Sequence, residues 1–321
     1  MLNCASLRIS WRTLLVLVFA SVAQLTVSTS LRAQARAAEQ LAGTEPEIGT
    51  AKRELPEISH WIWSPFVTAY LLSAGEVYTS LIYENDVVHF RSPDHTFAQE
   101  IEVGLPYRVN LAIENVVERY HGTSQDSTFS IQARYALADW DKIPLNPAIL
   151  AEYKFGLGNI LHDEGAPTPA KRFGPGGFDT SMEIPDAYGL RILLSEEFFH
   201  RLEWALNTFF EQEIGGDRRR EWGIAQSVVT PLLSSHEKLK VGINLEFRSF
   251  TDKTTRGTPY NSFVIGPTAA WKPTPKTRLE VSPLFGVNHK SPEVQFFVVF
   301  SYLLGPGGRE GGEQPAPKRD R

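Results

Sequence analysis

Arg108-Val109-Asn110-Leu111-Ala112-Ile113-Glu114-Asn115-Val116-Val117 is the stretch on which the fold turns. Val109, Leu111, Ile113 and Val117 fall on one face of an extended chain, and Arg108, Asn110 and Glu114 fall on the other. A period of two marks a strand with two unlike faces. Lys238 to Arg248 repeats it, with Leu239, Val241, Ile243, Leu245 and Phe247 opposite Lys238, Lys240, Asn244, Glu246 and Arg248. Leu202 to Glu213 sets Leu202, Trp204, Leu206 and Phe210 against Glu203, Asn207, Glu211 and Glu213. Glu293 to Tyr302 places Val294, Phe296, Val298, Phe300 and Tyr302 on one side.

Working outward, the alternation predicts twelve strands, at 75–86, 96–104, 107–118, 127–138, 147–158, 186–195, 202–214, 221–231, 238–250, 261–272, 277–287 and 292–303. Most have the length that a tilted strand needs to cross a bilayer, about 9–13 residues. The fold class expected is all-β, a transmembrane antiparallel up-and-down β-barrel over residues 75–304. The connections alternate in length, and the longest, Asn159 to Pro185 with Gly174-Pro175-Gly176-Gly177, falls in the outward set. Short periplasmic turns with longer external loops suit an outer-membrane barrel, and an even strand number brings both barrel ends to the periplasmic side. A secreted β-sandwich also alternates, but Trp204, Trp222 and Trp271 sit near segment ends, where aromatic girdles lie in membranes. Pro267 and Pro283 fall inside expected strands, where proline removes a ladder donor, so bulges or shifted boundaries are expected there.

The first 35 residues carry Arg8 and Arg12, an apolar run from Thr13 to Val27, and Ala33-Gln34-Ala35. This describes a secretory signal peptide cleaved after Ala35 and excludes a cytoplasmic reading. Loss of Arg8, Arg12 and Arg32 leaves 29 basic against 37 acidic side chains, a net charge of −8. Such a balance argues against nucleic acid as a partner. Cys4 is the only cysteine and departs with the leader, so stability is expected from a large sheet or the membrane, not from disulfides. Residues 36–74 read as a periplasmic leader, in which Trp61 to Leu72 is either a short helix or an irregular segment against the first strand. Gly305 to Arg321 reads as a disordered tail.

Tyr135-Ala136-Leu137-Ala138-Asp139-Trp140 with Ile143-Pro144-Leu145-Asn146-Pro147 is similar to segments of an uncharacterised family of bacterial outer-membrane β-barrel proteins. So are Phe210-Glu211-Gln212-Glu213, Ile265-Gly266-Pro267, Trp271-Lys272-Pro273-Thr274-Pro275 and Pro283-Leu284-Phe285-Gly286. That family distantly resembles the outer-membrane proteins associated with phenol meta-pathway degradation, which are taken to be transporters. The resemblance covers about Gly75 to Leu304. It implies a barrel fold and a transport role, and it carries over no catalytic, cofactor or metal residue.

The polar faces hold the candidate chemistry. The expected lumen lining comprises the acids Glu100, Glu102, Glu114, Glu152, Glu203, Glu211, Glu213, Glu246 and Glu280, with Glu118 added by the same alternation. The bases are Arg108, Arg134, Lys154, Arg191, Lys240, Arg248 and Arg278. Ten against seven is close enough to balance for cross-strand ion pairing, with the arginines reaching across a narrow bore. Pairs such as Glu211/Glu213 and Glu100/Glu102 resemble acid–base dyads, but structural ion networks imitate active sites. His89, His95, His121, His162 and His289 map to external loops without metal-ligand spacing. No G-x-S-x-G marks a nucleophile. Arg218-Arg219-Arg220 sits in an external loop and suits either solvent or lipid A phosphates.

Three functions are expected to compete. The first is passage of small, including hydrophobic, solutes; the second is a structural or surface-interaction barrel plugged by its own charges; the third is a barrel enzyme acting on lipid. Transport leads, with no enzyme activity and no cofactor expected. The expected partners are outer-membrane lipid, lipopolysaccharide and, during insertion, the barrel-assembly machinery.

Overall fold

In a computed structural model, residues 68–304 are described apart from 88–93, 121–122, 160–172, 175–176, 179–182, 200–201, 234–235, 254–255 and 275. The signal peptide with its cleavage site, most of the leader, most of the long loop and the tail lie outside the described residues.

Twelve antiparallel strands close into one barrel. They are β1 (Val77–Val87), β2 (Asp94–Leu105), β3 (Val109–Tyr120), β4 (Thr123–Ala136), β5 (Ala148–Gly156), β6 (Ala187–Phe198), β7 (Leu202–Glu213), β8 (Arg220–Leu233), β9 (His236–Thr251), β10 (Tyr260–Thr274), β11 (Thr277–Gly286) and β12 (Val294–Leu304). Each pairs with its sequence neighbour, and β1 closes on β12 from Val77 opposite Leu304 to Val87 opposite Val294. A further two-residue pair, Phe173–Gly174 with Gly177–Phe178, lies within the loop between β5 and β6.

The closed sheet explains why alternation was legible. Leu81, Ile101, Leu111, Ile113, Ile131, Ile192, Ile243 and Phe300 are all exposed large apolar side chains on the outer face. Ser80, Glu102, Asn110, Gln132, Asn244 and Ser301, one residue along their strands, are buried inside. An apolar exterior over a polar interior inverts a water-soluble sandwich and matches a wall in lipid. Trp222 and Trp271 are exposed at opposite rims, whereas Trp204 is on the same face but covered.

Strand boundaries differ from the sequence expectation by a few residues. β4 starts at Thr123, not 127, because backbone pairing continues through Thr123-Ser124-Gln125-Asp126 after apolar alternation has stopped. Neither proline ends a strand. Pairing of β10 with β11 is interrupted between Ile265 opposite Phe285 and Ala269 opposite Val281. That register sets Pro267 and Pro283 side by side, so both missing donors fall on one short gap. The remaining irregularities are a bulge at Val116/Val117 against β4, a shift at Pro231/Leu233 against β9 and a shift at Trp271/Thr274 against β11.

Residues 68–72, assigned from sequence to a periplasmic leader, lie inside the barrel instead. Thr68, Ala69, Tyr70 and Leu72 are buried. Ala69 packs with Ala136, Ala148, Leu150 and Leu193; Tyr70 packs with Ala205, Ala225, Val229 and Ala270; Leu72 packs with Tyr78 and Leu303. Successive side chains thus address different sectors of the wall, which suits an extended segment with wall on every side.

The lumen as candidate functional site

The N-terminal segment is held by backbone as well as side chains. Ala69 N–H donates to Ser195 Oγ at 2.9 Å. The Arg134 guanidinium donates to the Tyr70 carbonyl at 3.1 Å. The chain then turns at Gly75, whose φ of 87° favours glycine, with Ser73 N–H bonded to Glu76 Oε2 at 2.8 Å. Gly75 and Glu76 bond Gly104 in both directions at 2.9 Å. A Cβ at Gly104 would run into the Leu72 and Ser73 carbonyls, so glycine there permits the close approach. The β4–β5 connection helps cover this end: Trp140 stacks on Tyr70 with ring centroids 4.1 Å apart. That turn is fixed by Asn146 Nδ2 donating to the Ser195 carbonyl and Leu145 N–H donating to Glu196 Oε2, both at 3.0 Å. Asp141, Leu145 and Asn146 adopt positive φ to make it.

The wall around the segment is built from small side chains. Ala136, Ala148, Ser195, Ala205, Ala225 and Ala270 face it and are buried. Three ion pairs line the same half. Arg134 lies 3.4 Å from Glu102, which also accepts from Asn110. Lys240 bonds Glu203. Arg278 lies 3.5 Å from Glu280 and donates to the Tyr78 hydroxyl at 3.0 Å. All six charged side chains are at most 6% exposed.

The extracellular half is different. Lys154 bonds Glu211 at 2.6 Å and lies 3.9 Å from Glu152. Arg191 lies 3.7 Å from Glu152 and 5.8 Å from the centre of the Phe209 ring. Arg248 bonds Glu246 at 2.7 Å and lies 3.8 Å from Glu221. Lys154, Arg191 and Arg248 are 25–29% exposed. Glu84, Asp86 and Glu118 are part-exposed on the same inner face. Glu100 and Glu114 sit opposite each other across β2 and β3.

Arg108 leaves the lumen, whereas Glu213 stays in the inward row, opposite Ala187, and bonds a loop at the rim. Tyr107 and Arg108 both have φ of 64°, and this turn precedes β3, so strand alternation does not apply. Its guanidinium sits 5.6 Å from the Tyr135 ring centre and donates to the Leu137 carbonyl at 3.2 Å, outside the wall. Glu213 Oε2 accepts from the Arg219 backbone N–H at 2.8 Å and caps the loop. The arginines also do not reach across the bore. Arg248–Glu246 and Arg278–Glu280 share a strand, Arg191–Glu152 joins neighbours, and Arg134–Glu102 spans one intervening strand. Residues 68–72 occupy the centre that cross-barrel pairs would need.

Sequence reasoning missed Glu221, Glu84, Asp86, Tyr78, Phe209 and the whole inserted segment. The first five lie within the expected strands 75–86, 202–214 and 221–231 and follow their alternation directly. Of the five histidines expected in external loops, His95 belongs to β2 and His289 is on the β11–β12 turn, while the other three lie outside the described residues. No group of three or more His, Cys, Asp or Glu that would suit a metal occurs among the described residues.

A closed twelve-stranded wall, apolar outside and charged within, defines an outer-membrane β-barrel of porin-like build. No protein-family model and no curated protein matches the chain. Among solved structures it is similar to an outer membrane channel from Pseudomonas putida F1, at 12% identity and TM-score 0.49, covering 73% of this chain and 97% of that one. It is also similar to the KdgM porin in complex with disordered oligogalacturonate, at 11% identity and TM-score 0.43, covering 70% and 98%. A third is the translocator domain of the autotransporter NalP from Neisseria meningitidis, at 12% identity and TM-score 0.39, covering 72% and 89%. The barrel assignment stands on strand closure itself.

Proposed function

We propose that this barrel is an outer-membrane channel for small polar solutes, with a preference for cations, and that residues 68–72 close it at the periplasmic end. The small-residue wall facing that segment carries the reading. A barrel filled only by its own strands needs large inward side chains in its narrow part. Here Ala136, Ala148, Ala205, Ala225 and Ala270 stand where large ones would be needed, and a non-strand segment supplies the bulk. Withdrawal of that segment leaves a bore. The acid excess of the extracellular half supports the preference for cations, and a wall this charged offers an apolar solute little surface.

The test is conductance in planar bilayers, comparing the full mature chain with a variant lacking residues 36–72. The channel reading expects small or rare openings from the parent and several-fold larger, cation-selective openings from the variant. A second reading, a structural barrel with a permanently filled lumen, is favoured by the burial of Ala69, Tyr70 and Leu72. It expects the parent never to open, with conductance appearing only once residues 36–72 are removed.

A further inference from the structure

We propose that the outer wall of β1–β3 at the extracellular end binds the phosphorylated headgroup of lipid A, the glycolipid of the outer leaflet. The site lies on the face away from the lumen, so it is independent of the channel reading and rests on the barrel's place in the outer membrane.

Register builds the site. Asn85, His95 and Arg119 occupy one row across three neighbouring strands, because Asn85 pairs with His95 and His95 with Arg119. Tyr83, Phe97 and Val117 form the adjoining row, nearer the middle of the barrel wall. Tyr83, His95, Phe97 and Arg119 line a cleft of about 360 Å³. Farther along the face, Leu81, Ile101 and Ile113 are exposed apolar side chains. A polar row above an aromatic row above aliphatic wall is the profile of a headgroup boundary.

The polar row offers donors to an anion. Asn85 Nδ2 and the Tyr83 hydroxyl both meet His95 Nδ1 at 2.9 Å. An amide NH₂ can only donate, so Nδ1 accepts and the ring proton resides on Nε2. His95 therefore keeps one N–H donor while its ring is held beside Tyr83, with centroids 6.1 Å apart. Arg119 is exposed and makes no ion pair or side-chain hydrogen bond among the described residues. An arginine fork matches phosphate oxygens two at a time. Asp126, on the same face of β4, accepts from Asn115 at 3.3 Å.

Arg108 provides the contrast. It too lies outside the wall, at the opposite end, but it is engaged by the Leu137 carbonyl, Tyr135 and Asp139 at 3.9 Å. An outward arginine with its own partners needs no lipid. Arg119 has none among the described residues, and it sits at the end where phosphorylated glycolipid is found.

The test uses the full mature chain in nanodiscs containing hexa-acylated bisphosphorylated lipid A and phosphatidylethanolamine, with bound lipid read by native mass spectrometry. Each variant is first shown to keep the heat-dependent gel shift of a closed barrel. Lipid A is expected to be retained over phosphatidylethanolamine. R119A, R119Q and H95A are each expected to lower that retention about tenfold, the loss of one charge-assisted hydrogen bond. R119K should keep more of it than R119Q, and R108A should match the parent. Parental retention by both R119A and R119Q would overturn the proposal. So would equal retention of dephosphorylated lipid A, or displacement of lipid A by inorganic phosphate, which would mark a free-anion site.

Discussion

Both halves of the lumen carry pairs of Lys or Arg with Glu, yet they behave as different materials. At the periplasmic end, the ion pairs Arg134–Glu102, Lys240–Glu203 and Arg278–Glu280 are shut away from water around residues 68–72. At the extracellular end, Lys154, Arg191 and Arg248 each contact glutamates in a part-exposed vestibule where acids outnumber bases. Desolvation separates them. A buried pair holds two charges that cannot be left singly, whereas water and salt relieve a half-exposed one. The inserted segment, and not the strand sequence, decides which half is dry.

The sharpest way to break the contrast is to remove one buried cation. K240A strips Glu203 of its ammonium partner and is expected to destabilise the barrel by about 3–5 kcal/mol, read as a lower guanidinium midpoint in detergent. Equal midpoints for K240A and the parent would mean that the periplasmic half is wet.

Next comes G104A, which places a methyl against the Leu72 and Ser73 carbonyls. Overpacking of this kind costs about 1–3 kcal/mol. The segment can relieve it by leaving, so the variant is expected to conduct more than the parent in bilayers. Unchanged conductance together with unchanged stability would place the segment outside the lumen.

In the vestibule, K154A is expected to cost roughly 1 kcal/mol or less. Its stability deficit should shrink in high salt, whereas that of K240A should not, since buried pairs are screened much less. A K154A deficit as large and salt-insensitive as that of K240A would erase the distinction. The smallest effect concerns selectivity in the leaderless channel. Its cation preference, measured as a reversal potential, should weaken as ionic strength rises and the Debye length falls to about 3 Å near molar salt.

The barrel itself was legible because alternation is imposed along every strand by the membrane on one side and the lumen on the other. Val109 to Val117 and Leu239 to Phe247 show this without help from any distant residue. Turn conformation was not legible: Arg108 reads as the first inward residue of a strand, yet a positive φ turns it outside. Nor was the inserted segment. Thr68-Ala69-Tyr70-Leu71-Leu72 has no period, because an extended chain surrounded by wall buries side chains in every direction. The run of inward alanines at 136, 148, 205, 225 and 270 was the available signal. Small residues facing a lumen imply something else filling it. The ion pairs were foreseen as residue types but not as partners, since pairing depends on what occupies the centre of the bore.

The most direct test of the inserted segment is a reversible lock. Cys4 is the only cysteine, so a chain with Cys4 replaced by serine takes an engineered pair cleanly. Ala69 and Ser195 are in contact through the Ala69 N–H. The double variant A69C/S195C, made in that chain, should form a disulfide under oxidation and conduct less than the parent in planar bilayers. Reduction should restore parental openings within the same membrane. A variant that cross-links fully, as shown by mass, yet conducts identically oxidised and reduced would contradict a closure made by residues 68–72.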